Sequence, residues 1–333
     1  MQPIGRRPSI PGFARSVALA AALIGLWSLP AVAAEAYPSR PVRIVLPFGA
    51  GGVADITTRV IADKLSQRMG QRFVVENQPG AGGVLAARAV LSSRPDGYTL
   101  ALLSNANAIG VSLLKKQPFD PVKDFAPIST LGFFDFVLAT PANSPLRNVG
   151  DLVRAARERG ASFNVGTITV GSSQHLSALL LKSAAGVDFT IVPFRSTPDV
   201  LLALLRDDVQ VMIDTYAALK SALADGKVRA IATSGPVRSA SMPAVPTARE
   251  GGIADFEVTS WNALAAPAGT PPEIIDLLNR TLREILADPE VKKRMLDLGI
   301  EARGGTPAEF QARLKADIEK WSRVIARAGI EKQ

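Results

Sequence analysis

Val42-Arg43-Ile44-Val45-Leu46-Pro47-Phe48-Gly49-Ala50-Gly51-Gly52-Val53-Ala54-Asp55 is the stretch on which the reading of the fold turns. Its short apolar run, rich in β-branched residues, predicts a buried strand over 42–47. Three glycines then turn the chain, and residues 53–69 show helical spacing that stops at Gly70. Working outward, 72–76 predicts a second strand, and Pro79-Gly80-Ala81-Gly82-Gly83 opens a helix running to about Ser92. Pro95-Asp96-Gly97 turns into a strand over 98–103. Strand and helix alternating in this order predict a parallel sheet with crossover helices.

The stretch 105–131 contains Pro118, Pro121 and Pro127 and reads as an irregular surface segment. A strand over 136–140 is ended by Pro141, after which the alternation restarts. Strands are expected at 163–166, 190–193, 209–214 and 228–233, between helices at 148–160, 173–185, 198–207 and 217–225. Residues 236–252 read as a loop and 257–266 as a long apolar strand carrying Trp261, with Phe256 just before it. Helices follow at 272–287, 289–298 and 307–329, the last opened by the N-cap sequence Thr306-Pro307-Ala308-Glu309. The expected fold class is α/β, with two lobes connected twice, near 136–140 and 257–266. Residues 35–139 plus 262–333 are expected to form lobe 1, and 140–261 lobe 2.

The N-terminus is expected to be a targeting signal rather than part of the fold. Arg6, Arg7 and Arg15 precede an apolar run over 17–29 and the small residues Ala31-Val32-Ala33-Ala34, the pattern of a cleavable secretory signal peptide. The run is shorter than the ~20 residues a membrane-spanning helix needs. Residues 1–34 are therefore set aside, and a periplasmic location is expected. Losing three arginines lowers the formal charge from +8 to +5. No basic stripe with interleaved aromatics points to nucleic acid. The absence of Cys rules out disulfides, thiolate nucleophiles and zinc-finger or iron–sulfur ligation. A single His rules out sites needing two imidazoles, and no metal or cofactor is expected.

Two loops carry what chemistry the sequence offers. Phe48 to Gly52 lies between a strand and a helix, where glycines leave N–H groups unshielded beside the positive end of the helix, a combination that binds anions. The same residues also serve as a plain structural turn, and Asp55 either caps the helix or orders the loop. No Gly-Lys-Ser/Thr follows, and Ala54 stands where a dinucleotide fingerprint needs its third Gly. The corresponding loop of the second half, Gly166 to His175, gathers hydroxyls ahead of a helix, but Gly171-Ser172-Ser173 lacks the second Gly of a nucleophile elbow. Asp214 ends a strand and Arg195 follows another, so both are placed to face a cleft or to serve as ordinary surface or salt-bridging residues.

These residues add up to a resemblance. Tyr37 to Gly52 with Asp55, Glu76-Asn77-Gln78-Pro79-Gly80-Ala81-Gly82-Gly83, Pro95 to Leu100 and Asp120-Pro121 with Asp124-Phe125 are similar to the tripartite tricarboxylate transporter substrate-binding proteins, the Bug-type receptors. Gly171 to Leu176, Gly226 to Ala230, Ala265 to Pro271 and Lys320-Trp321 continue the likeness across the mature chain. The resemblance implies a two-lobed Venus-flytrap protein that closes on a small carboxylate. It implies a ligand site at Phe48, Gly49, Ala50, Gly51, Gly52 and Asp55 on the first lobe, and at Thr167, Ser172, Ser173 and His175 on the second. Ser104 and Asp214 are further implied lining positions. It also implies a monomer without catalysis that serves a membrane permease or a sensor protein. An enzyme using His175 as base, with Asp214 or Ser172 assisting, is the alternative of another class. Gln78, Phe194-Arg195-Ser196 and the β-branched Thr167-Ile168-Thr169-Val170 depart from the family's usual pattern, the last two beside the expected cleft.

Overall fold

A computed structural model describes residues 1, 2, 5, 37–327 and 329–333. The expected signal peptide lies almost entirely outside the described residues. Residues 1–39 and 40–333 form two separate units, and the fold described here is that of the second.

Its first half contains β1 (Val42–Leu46), α1 (Val53–Met69), β2 (Phe73–Asn77), α2 (Val84–Leu91), β3 (Thr99–Ser104) and α3 (Asn105–Leu113). A 17-residue strand, β4 (Phe125–Pro141), leads into α4 (Val149–Arg159), β5 (Asn164–Ile168), α5 (Ser173–Ala185) and β6 (Thr190–Phe194). Then come α6 (Thr197–Leu205), β7 (Val211–Thr215), α7 (Tyr216–Ala224), β8 (Val228–Thr233) and β9 (Thr259–Pro267). The chain ends with α8 (Pro272–Ala287), α9 (Pro289–Leu296), the two-residue β10 (Glu301–Ala302) and α10 (Pro307–Arg327).

The strands run in the order β2-β1-β3-β9-β4-β7-β5-β6, with β8 and β10 also on β4. Two parallel trios, β2-β1-β3 and β6-β5-β7, have the expected crossover build. The joining strands run the other way: every pairing of β4 and β9 is antiparallel. β4 belongs to both halves, because Phe125–Asp135 lies along β9 whereas Phe136–Ala139 lies along β7. Ser234 ties the two crossings together, accepting from the Phe136 N–H at 2.8 Å and donating to the Val258 carbonyl at 2.5 Å.

The expectation of an irregular stretch over 105–131 is corrected. Ser104 caps α3 through the Ala106 N–H, and Asn107 returns the bond to the Ser104 N–H, so a helix starts there. β4 begins at Phe125 despite Pro127, which sits beside a register shift where a residue lacking an N–H is tolerated. β10 is too short for any pattern to announce.

The cores follow burial. In the second half Val137, Ile168, Val200, Leu204 and Met212 cluster between sheet and helices. In the first, α10 covers the sheet: Trp261 packs edge-on against Phe310 with ring centroids 5.4 Å apart and donates to Asp317 at 2.7 Å. Trp321, also fully buried, donates to Asn105 at 2.6 Å. Truncating such a side chain to alanine costs about 3–5 kcal/mol. Trp261 and Phe256 are therefore core residues beside a crossing, as the plain structural reading expects.

Candidate functional site

The turn between β1 and α1 is held from behind. The Asp55 carboxylate accepts from the Gly51 N–H at 3.1 Å, from Arg59 at 2.9 Å and from Asn77 at 3.1 Å. Asn77 also donates to the Phe48 carbonyl at 3.0 Å. Burial by itself would raise the Asp55 pKa, but these hydrogen bonds and the Arg59 charge hold it below the ordinary carboxylate value. Asp55 thus orders the loop and does not line the cavity.

The fixed turn meets the second half of the molecule. A Cβ on Gly49 would lie 2.7 Å from Ser196 Cβ and 2.9 Å from the Arg195 carbonyl. One on Gly52 would lie 3.3 Å from Thr197 Oγ1. Only hydrogen at the Gly49 α-carbon lets the β1–α1 turn lie against the β6–α6 turn, while at Gly52 a Cβ would be a tight contact. Nearby, Gly82 donates to the Val170 carbonyl at 3.3 Å, joining the halves a second time.

Between these contacts lies a cavity of about 410 Å³, counted to its open mouth. Four helix N-termini converge on it: α1 through Val53 and Ala54, α3 through Ser104, α5 through Ser173 and Gln174, and α6 through Ser196 and Thr197. Each such end carries N–H groups with no partner inside its helix and the positive pole of the helix dipole. Phe48, Phe134 and Ile168 supply apolar wall, and Ser260 and Asn262 reach in from β9. Arg195 is the one charged side chain among the described lining residues. The arrangement suits a small anion held by backbone and hydroxyl donors.

Of the residues expected from the sequence, Phe48, Gly49, Gly52, Ser104 and Ser173 line this cavity. Ser172 lines a neighbouring one of about 280 Å³, shared with Phe48 and Gly82, and also caps α5 through the His175 N–H at 3.0 Å. Ala50 and Gly51 belong to the turn without lining either of these cavities.

Three expected lining positions are placed elsewhere. Thr167 is buried, with its hydroxyl on the Ile168 carbonyl at 3.1 Å. His175 points into the protein, where burial pushes its pKa down to about 4 and keeps the ring neutral. Asp214 is fully buried behind the wall, accepting from Thr197 Oγ1 at 2.6 Å, Gln174 Nε2 at 3.2 Å and the Thr215 N–H at 2.8 Å. Burial pushes the Asp214 pKa up, against the pull of those hydrogen bonds. Its role is to position Gln174 and Thr197, which do line the cavity.

Sequence reasoning missed Gln174, Ser196, Thr197, Ser260 and Asn262. The run Ser196-Thr197-Pro198-Asp199 carries a helix-start signature that could have placed Ser196 and Thr197 at the N-terminus of the helix expected over 198–207. Ser260 and Asn262 are polar residues two apart in an apolar strand, which is also a readable signal. Among the described residues no group of three or more His, Asp or Glu side chains is placed to hold a metal ion. No described helix is long and apolar enough to cross a membrane.

Two α/β lobes joined by crossing strands, with helix ends from both turned toward one cavity, define a two-lobed binding-protein fold. Residues 57–330 match the family described as tripartite tricarboxylate transporter family receptor, and the chain belongs to that family of solute-binding receptors. It is similar to Rpa4515 of R. palustris, a structure with adipate (33% identity, 89% of this chain and 100% of that one, TM-score 0.86). It is similar to the periplasmic binding protein BugD (32% identity, 89% and 100%, TM-score 0.85). It also resembles MatC of Rhodopseudomonas palustris with bound malate (33% identity, 87% and 100%, TM-score 0.81).

Proposed function

We propose that this chain is a periplasmic receptor that captures a small organic carboxylate between its lobes and delivers it, unaltered, to a permease of the tripartite tricarboxylate type. The observation that carries this reading is the convergence of four helix N-termini on a cavity whose described lining holds no acidic side chain. An anion is the ligand such a site stabilises. The adipate and malate seen with two relatives support a carboxylate as that anion.

In this reading residues 1–34 direct secretion and are removed, and the mature chain acts as a monomer. The lobes are 35–139 plus 262–333 and 140–261. The pairing of Phe136–Ala139 with β7 supports a crossing a few residues earlier, next to Asp135. Phe48, Gly49, Gly52, Ser104 and Ser173 contact the ligand, joined by Gln174 and Thr197. Rocking of the lobes about the crossing strands admits and releases it. The enzymatic alternative lacks its base, because His175 faces the interior and lines neither cavity. A sensor protein in place of the permease would change the partner and leave the site as it is.

Thermal unfolding of the purified mature chain against di- and tricarboxylates, amino acids and aromatic acids tests the reading. A ligand at 100 times its Kd stabilises the fold by about 2.7 kcal/mol. At least one carboxylate is expected to raise Tm in a concentration-dependent way. Silence across the panel from a cooperatively melting sample would defeat the proposal.

A further inference from the structure

The lining of the cavity contains a donor for which the fold itself has no use. Asn262 is 1% exposed, lines the cavity, and its Nδ2 makes no hydrogen bond to any described residue. Its strand neighbours Ala263, Leu264, Ala265 and Ala266 are all buried and apolar. An amide placed among them without a partner for its nitrogen is costly to the folded state.

The surroundings of Asn262 share this bias toward donors. In the antiparallel pairing of β3 with β9, Ser104 stands directly across from Asn262, which places the two side chains on one face of the sheet. Ser104 Oγ accepts from the Ala106 N–H at 3.2 Å, and none of the hydrogen bonds found for this residue uses its own proton. Two residues before Asn262, and so on the same face, Ser260 Oγ lies 3.2 Å from Ser173 Oγ. That pair shares one hydrogen bond, so one of its two hydroxyl protons is left over. The group that best satisfies an amide N–H pair and spare hydroxyl protons is one that only accepts, and an ionised carboxylate is such a group.

We infer that Asn262, backed by Ser104 and the Ser260–Ser173 pair, is a specificity-determining residue that binds a second acceptor group of the ligand. This rests on the receptor reading above and adds to it. The helix N-termini hold one carboxylate, and Asn262 selects molecules carrying another over those with a plain hydrocarbon end. The apolar surfaces of Phe134 and Ile168 accommodate the carbon chain between them.

Calorimetric titration with matched probes tests this: succinate against butyrate, and adipate against hexanoate. The wild-type chain is expected to bind at least one dicarboxylate 10-fold or more tightly than its monocarboxylate partner. Asn262→Leu is expected to weaken that dicarboxylate by about 10- to 100-fold, the range carried by hydrogen bonds to a charged group. It should move the monocarboxylate by less than about threefold and leave the Tm of the ligand-free chain unchanged or raised. Asn262→Asp keeps the shape and replaces the donor with an acceptor, so it should lose the dicarboxylate at least as severely.

Equal losses for both probes, or a lowered ligand-free Tm in Asn262→Leu, would make Asn262 a structural residue and overturn the inference while leaving the receptor reading intact. A wild-type chain with no preference between the paired probes would do the same. Binding of none of the four probes by a folded wild-type sample would overturn this inference and leave the receptor reading to the wider panel above.

Discussion

The β1–α1 and β5–α5 turns occupy equivalent places in the two parallel trios, yet they present helix ends to the cavity in opposite ways. In the second lobe Ser172 caps α5 and Ser196 caps α6, and within the first lobe Ser104 does the same for α3. In the first lobe the N-cap of α1 is Gly52, with no side-chain cap at all. Gly51 donates to Asp55, and Val53 and Ala54, whose N–H groups have no side-chain cap, line the cavity. Capping a helix end stabilises it by about 1 kcal/mol, and α1 forgoes that gain at a turn pressed against the opposite lobe. The difference teaches that α1 offers the least satisfied helix end at the cavity, which in the proposed receptor makes it the anion grip, whereas the other three ends already carry serine caps.

The harshest break of this comparison is to stop the turns from meeting. Gly49→Val places side-chain carbon where Ser196 Cβ and the Arg195 carbonyl already stand. Closure is then blocked, and ligand affinity is expected to fall on the order of 1,000-fold, about 4 kcal/mol. Gly49 has a backbone angle that other residues adopt, so any fall in the ligand-free Tm should come only from parting these two turns. Titration calorimetry checks the first expectation and thermal unfolding the second. Unaltered affinity would mean that the contact plays no part in the bound state.

Next in size is an effect confined to the serine-capped side. His175 has its pKa lowered from 6.5 to about 4 in the folded chain by burial. Below pH 6.5 the unfolded chain takes up a proton that the folded chain refuses, so stability declines as pH falls from 6.5 toward 4 and is level outside that window. At 1.36 kcal/mol per pKa unit the full decline is about 3 kcal/mol. His175→Leu should flatten the stability profile over that range in urea unfolding. Ligand affinity should stay as it was, because the imidazole does not line the cavity.

How far the sequence foretold all this varies with the physics. Helices over 53–69 and 173–185 were legible to the residue, since their apolar spacing and closing glycines are local signals. β4 was hidden by Pro127, because only a partner strand reveals that a proline sits at a register shift. α3 was hidden because its box closes with Asn107 rather than the usual Glu or Gln. The glycine turn of the site was readable, as glycines are needed where backbones approach. Asp214 and His175 stand out in the sequence by residue type, which suggests chemistry, whereas packing buries both side chains. Asn262 drew no notice because its significance is an unmet hydrogen bond, which exists only once β3 and β9 pair.

A milder change removes one cap. Ser172→Ala deprives the His175 N–H of its acceptor and is expected to cost about 1 kcal/mol, lowering Tm by roughly 2–4 °C. Affinity should change little if the wall only supports the site. A large loss of affinity with no loss of Tm would show that the Ser172 hydroxyl contacts the ligand itself.

The smallest effect comes from giving α1 the cap it lacks. Gly52 has φ −86° and ψ 171°, angles a serine adopts without strain. Gly52→Ser therefore stabilises the ligand-free chain by only a few tenths of a kcal/mol, less than about 1 °C in Tm. Its hydroxyl, however, competes with the ligand for the N–H groups of the first turn. Its Cβ also stands 3.3 Å from Thr197 Oγ1, an atom held in place by its 2.6 Å bond to Asp214. Affinity should fall about threefold while stability rises, a divergence that an ordinary structural turn does not produce. If both quantities rise together, the bare end of α1 is not what holds the anion.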